Sequence, residues 1–113
     1  MVVSTMRFYE DLVQKIYSGE KSQTIRYDWS EIPKDGSILN AVSTQEGDVF
    51  AKIQIESTEV ISVEECADRN LEGHKNYSST EELLDEMSTY YPDITREDDV
   101  ILFHFSLTEW LRD

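Results

Sequence analysis

Gly19-Glu20-Lys21-Ser22-Gln23-Thr24-Ile25-Arg26 is the stretch on which the reading of this chain turns. Before it, Phe8, Leu12 and Ile16 recur at a spacing of four, with Tyr9 and Val13 alongside. That periodicity predicts a helix from Phe8 to Tyr17, with Thr5 as a fair N-cap. Gly19 suits the left-handed position that closes such a helix. After it, Thr24 to Trp29 predicts a short strand. Lysine, threonine and arginine are therefore gathered into a helix-to-strand connection. A Lys and a Thr three apart at such a joint can converge on one pocket, where a hydroxyl beside an amine makes a nucleophile and base.

Working outward, Pro33-Lys34-Asp35-Gly36 reads as a turn. Ser37 to Ser43 reads as a strand, and Glu46-Gly47-Asp48 closes a hairpin. Val49 to Ile61 alternates, with Val49, Ala51, Ile53 and Ile55 on one face and Lys52, Gln54 and Glu56 on the other. Ser62 to Asn70 is an acidic, irregular or short helical segment, and residues 71–77 form a polar loop. Ser79 with Glu82 makes a capping box for a helix through Tyr90, with Leu83, Leu84 and Met87 inward and Pro92 as the stop. Asp99 to Leu107 predicts a closing strand, and Leu107 to Leu111 a short amphipathic packing helix. Short strands, two main helices and tight turns predict an α+β fold, a small mixed barrel.

Length and composition bound the function. At 113 residues the chain has the size of one domain. Its 39% hydrophobic and 11% aromatic content suits a folded core. No apolar run reaches the roughly 18 residues of a membrane span, and residues 1–7 carry no signal-peptide hydrophobic region. A cytoplasmic protein without membrane association is expected, as a monomer or weak dimer. The single cysteine, Cys66, excludes an internal disulfide and a cysteine metal cluster. Its acidic neighbours Glu64, Glu65 and Asp68 disfavour a thiolate, so it reads as a small buried apolar residue. No metal and no cofactor are expected, since no His-x-x-x-His pair or Gly-rich phosphate loop occurs.

Ten Lys and Arg face 24 Asp and Glu, a formal net charge of −14. Such a surface repels polyanions in dilute buffer. The acids are distributed along the chain instead of forming a tail, which is the composition of a protein adapted to molar salt. There the Debye length falls to about 3 Å and self-repulsion is screened. A halophilic surface is the expectation.

The candidate site residues also have structural readings. Lys21 can complement the helix C-terminal dipole, Thr24 can serve strand propensity, and Arg26 can pair with one of many acids. As site residues, Lys21 in a desolvated pocket has a lowered pKa and acts as base or oxyanion holder. Thr24 is then the nucleophile, and Arg26 shares its strand face. Trp29 offers a stacking surface for a nucleobase, and His74 lies in the loop near Glu72. His104, in an apolar strand, reads as a core or pocket-lining residue.

Gly-x-Lys-x-x-Thr-x-Arg near the N-terminus resembles the signature of the ASCH domain family, small β-barrels related to the PUA RNA-binding domain. Tyr90-Tyr91-Pro92 followed by residues 100–105 resembles the family's closing pattern. The resemblance implies one ASCH domain over residues 1–113 with a PUA-like barrel. It further implies an amidohydrolase that removes the acetyl group from a nucleoside such as N4-acetylcytidine through Lys21, Thr24 and a loop glutamate. Glu72 matches that position, and a register counted back from Tyr91-Pro92 puts Asn76 there instead. Arg26, Trp29 and His74 would hold a small nucleoside-like ligand. The alternative is a non-catalytic RNA-binding module.

Overall fold

The computed structural model describes residues 5–27, 29, 32–69, 71 and 76–112. The elements run β1 (Thr5–Phe8), α1 (Glu10–Ser18), β2 (Gln23–Arg26), β3 (Ile38–Ser43), β4 (Val49–Ser62), α2 (Val63–Asp68), α3 (Thr80–Ser88) and β5 (Asp99–Trp110). The five strands form one mixed sheet in the order β1-β3-β4-β5-β2, curled into a half-barrel, and with the three helices they make the α+β, PUA-like architecture expected. β1 and β3 are parallel, and every other pairing is antiparallel.

The first element corrects the sequence reading. Thr5 to Phe8 is a strand and not a helix cap: Met6 and Phe8 are buried on alternate positions while Thr5 and Arg7 stay exposed. The pairing Thr5↔Asn40 to Phe8↔Ser43 supplies the backbone hydrogen bonds that favour the extended form. The helix starts at Glu10, with Tyr9 as N-cap making no side-chain cap bond. It ends at Gly19, whose φ of 84° lies in the left-handed region that favours glycine. The Lys21 amide then donates to the Lys15 carbonyl at 2.9 Å, folding the motif back on the helix end. The strand after it stops at Arg26, shorter than the sequence suggests.

The tail is a second correction. β5 continues to Trp110, pairing Ala51↔Trp110, so the predicted terminal helix is strand. Its ring packs at 5.9 Å from Phe50 and 4.5 Å from Tyr17. Half of the capping box forms: Ser79 Oγ accepts from the Glu82 amide at 3.2 Å, while the Glu82 carboxylate accepts from the Ser78 hydroxyl at 2.7 Å, and Ser62 caps α2 as Ser79 caps α3.

A bulge lets β4 serve two cores. The register passes from Ile55↔Phe105 to Ser57↔His104, leaving Glu56 as the extra residue. One extra residue turns a strand's faces over. Ile53 and Ile55 accordingly pack with Phe8, Val13, Phe50 and Phe103. Ile61, of the same parity, packs instead with Val63, Cys66, Leu83 and Met87 under α2 and α3. β5 lies between them, with Phe103 and Phe105 in the first cluster and Val100 and Leu102 in the second.

Candidate functional site

β1 and β2 are the two edges of the half-barrel. They are joined across the open seam by a side chain: Arg26 Nη2 donates to the Arg7 carbonyl at 2.7 Å. The Arg26 guanidinium also lies over the Phe8 ring, 5.2 Å from its centroid. A pocket of about 860 Å³ opens at this seam. Its walls come from β1 (Thr5, Arg7, Phe8), α1 (Leu12, Lys15), the motif (Lys21, Thr24, Arg26) and α3 with the residues after it (Leu83, Glu86, Met87, Tyr90, Tyr91). Sites for small ligands have volumes of this order.

Four of the sequence-predicted residues, Lys21, Thr24, Arg26 and Trp29, line this one pocket. Alternation in β2 explains why. Thr24 pairs with Phe103 and Arg26 with Ile101, both facing the first core, whereas Ile25 pairs with Leu102 and faces the second. Thr24 is only 3% exposed. Trp29 also packs on Phe103, with ring centroids 5.2 Å apart. Glu72 and His74 lie outside the described residues. Asn76 uses its carboxamide oxygen to accept from the Leu71 amide and does not line the pocket.

Lys21 is 9% exposed, and its Nζ donates to the Gln23 carbonyl at 2.8 Å. Burial lowers its pKa from 10.5 to about 8, the Arg26 charge adds to this, and Glu86 opposes it. Arg26 is lowered too, chiefly by burial. At pH 7 about a tenth of an amine with that pKa is neutral and able to accept a proton.

Glu86 was missed in the sequence. It lines the pocket, acts on Lys21, and accepts a hydrogen bond from the Tyr77 hydroxyl. Helical spacing carries the signal: Leu83, Glu86, Met87 and Tyr90 recur at three and four and share a face. Tyr9 and Tyr90, ring centroids 5.7 Å apart, both line the pocket, and both are more than a third exposed. His104 lies away from the pocket, with Nε2 3.6 Å from Glu59. Cys66 is fully buried as expected, and burial pushes its thiol up to about 11.

The curled mixed sheet and its three helices define an α+β class with a seam pocket at the helix-to-strand motif. Within it, solved structures place the chain more closely. It superposes on the ASCH domain from Lactobacillus crispatus JV V101 with a TM-score of 0.66 at 14% identity, covering 94% of this chain and 80% of that one. For ASCH from Zymomonas mobilis the values are 0.67 and 15%, covering 96% and 71%. For the hypothetical protein PH0355 they are 0.71 and 22%, covering 95% and 100%. At these identities the likeness is one of fold: the chain has the ASCH-domain fold. No family model and no curated protein matches the sequence.

Proposed function

We propose that residues 1–113 form a single ASCH domain that hydrolyses the acetyl amide of a nucleoside such as N4-acetylcytidine. The observation that carries this reading is the meeting of a buried hydroxyl, Thr24, and a buried amine of lowered pKa, Lys21, in one pocket of ligand size. In the covalent route the Thr24 Oγ1 proton passes to Lys21 Nζ as Oγ1 bonds to the acetyl carbonyl carbon. The carbon–nitrogen bond then breaks, and the leaving amine takes the proton from the Lys21 ammonium, releasing cytidine. Water next attacks the acyl-threonine, giving acetate and restoring the hydroxyl. The same residues serve a single-step attack by water, with Thr24 as a hydrogen-bonding group. The cation of Arg26 and the ring of Trp29 would hold the base.

The third group is a carboxylate that positions Lys21 or protonates the leaving amine. Glu72 holds that role by resemblance, with His74 beside it on the substrate. Among the described residues Glu86 is the carboxylate whose charge acts on Lys21. No cofactor enters the reaction as proposed.

The decisive experiment is incubation of the protein with N4-acetylcytidine in molar KCl, followed by chromatography for cytidine. Turnover lost in both Lys21→Ala and Thr24→Ala, with Glu72→Gln and Glu86→Gln compared next, supports the hydrolase. No turnover by the folded wild type sinks it. The alternative, a non-catalytic RNA-binding module, draws on the basic residues of the same pocket. RNA titration at low and high salt tests it.

A further inference from the structure

In a chain with 24 acids and ten Lys and Arg, a cation has many carboxylates to pair with. Outside the pocket that is what happens: among the described residues the ion pairs of permanent cations are made by Arg69, Arg96 and Arg112. None of these lines the pocket. The four cations that do, Arg7, Lys15, Lys21 and Arg26, make no ion pair with a described residue. Against them the pocket holds two described acids, Glu20 and Glu86.

The hydrolysis of a neutral nucleoside uses Lys21 and Arg26, and both donate to backbone carbonyls. It does not use the side chains of Arg7 and Lys15, although Lys15 also stands in the last turn of α1, where a cation suits the helix dipole. Both are exposed, one on β1 and one on α1. Thr5 and Thr44, two residues with hydroxyls, belong to the same lining. An arginine fork, an ammonium and hydroxyls are the groups that bind a phosphate.

We propose that the substrate carries a phosphate: an acylated nucleoside monophosphate, its phosphate held at the pocket rim by Arg7 and Lys15. The proposal rests on the hydrolase reading for the acylated base and on the charge distribution for the phosphate. The overall charge of −14 does not forbid it. At physiological ionic strength the Debye length is about 8 Å, so a small anion in the pocket responds to the nearby cations and not to distant acids. A long polyanion runs out over the acidic surface, which favours the mononucleotide over RNA.

The test is calorimetric titration with CMP, cytidine, inorganic phosphate and an oligocytidylate, in dilute and in molar KCl. None of these ligands needs to be hydrolysed, so the result stands apart from turnover. The expected result is CMP binding about tenfold tighter than cytidine in dilute salt, with the preference shrinking in molar KCl. Arg7→Gln and Lys15→Gln should each reduce the CMP-to-cytidine ratio roughly threefold. Lys52→Gln, on β4 outside the pocket, is the charge-matched control and should leave the ratio alone. Equal affinities for CMP and cytidine would overturn the proposal, as would an oligocytidylate binding more tightly than CMP at equal nucleotide concentration. Turnover of N4-acetylcytidine without CMP preference removes the phosphate and keeps the hydrolase. CMP preference without turnover does the reverse.

Discussion

Arg112 and Arg26 are the same residue in opposite surroundings. Arg112 sits between two carboxylates, with Nη1 2.6 Å from Glu10 Oε2 and Nη2 2.8 Å from Asp48 Oδ1. Its hydrogen bonds hold Glu10 and Asp48 below their ordinary pKa values and push its own up. Arg26 donates to a carbonyl and is lowered by burial, as is Lys21 beside it. Each guanidinium covers a phenylalanine ring, Phe50 and Phe8. The chain therefore neutralises a cation where it ties α1, the β3–β4 turn and the residues after β5 together, and leaves the seam cations without a carboxylate partner among the described residues. Placement, and not composition, separates the clasp at Arg112 from the cations that line the seam pocket.

The largest effect expected is on activity. Lys21→Met should lower hydrolysis of N4-acetylcytidine by about 10²- to 10⁴-fold. In the wild type, kcat/KM should climb with pH and level off above about 8, the value at which the buried amine loses its proton. A flat profile would remove Lys21 from the role of base.

Next comes stability, with a sign that separates the two regions. Folded Lys21 releases its proton at about 8, whereas the unfolded chain keeps it to about 10.5. Between those values the unfolded state binds more protons, so stability rises with pH. The gain relative to Lys21→Met should reach up to about 3 kcal/mol in denaturant titrations. At pH 7 the methionine variant should unfold at a higher temperature than the wild type. A lower midpoint would mean that the ammonium is welcome where it lies.

The clasp should behave in the opposite way. Glu10 and Asp48 are depressed in the fold, so their contribution is present above the ordinary 4.5 and 3.8 and is lost as pH falls through the lower folded values. Arg112→Met should cost a few degrees of thermal midpoint at pH 7 and progressively less in acid. An unchanged pH difference between variant and wild type would deny the clasp that role. The smallest effect is that of salt. Molar KCl should raise the wild-type midpoint by screening 24 acids, while narrowing the gap to Arg112→Met. A midpoint that does not rise would sink the halophilic reading.

Much of this was legible in the sequence because local chemistry carried it. Gly19, the Ser79–Glu82 cap, the Gly47 hairpin and the alternation of the long strand are short-range signals, and each element they imply is present. What failed depended on distant partners. Phe8 lies one helical turn before Leu12, so its periodicity extended the helix backwards over a strand that exists by pairing with β3. Leu107 to Leu111 reads as amphipathic in either form, and Ala51 opposite Trp110 decides for strand. In the pocket, Lys21, Thr24 and Arg26 share one short segment and were found together. Glu86 stands 60 residues further on and enters only because α3 packs against that segment's core.

Cys66 gives the fold a built-in clock. It is the chain's single cysteine, fully covered in the cluster that also holds Leu83 and Met87 of α3. A thiol reagent in solution reaches it only when that packing opens, so the labelling rate reports the population of the opened form. The same helix carries Glu86 and one wall of the pocket. Labelling with and without a bound ligand therefore times how long the filled site keeps its wall shut.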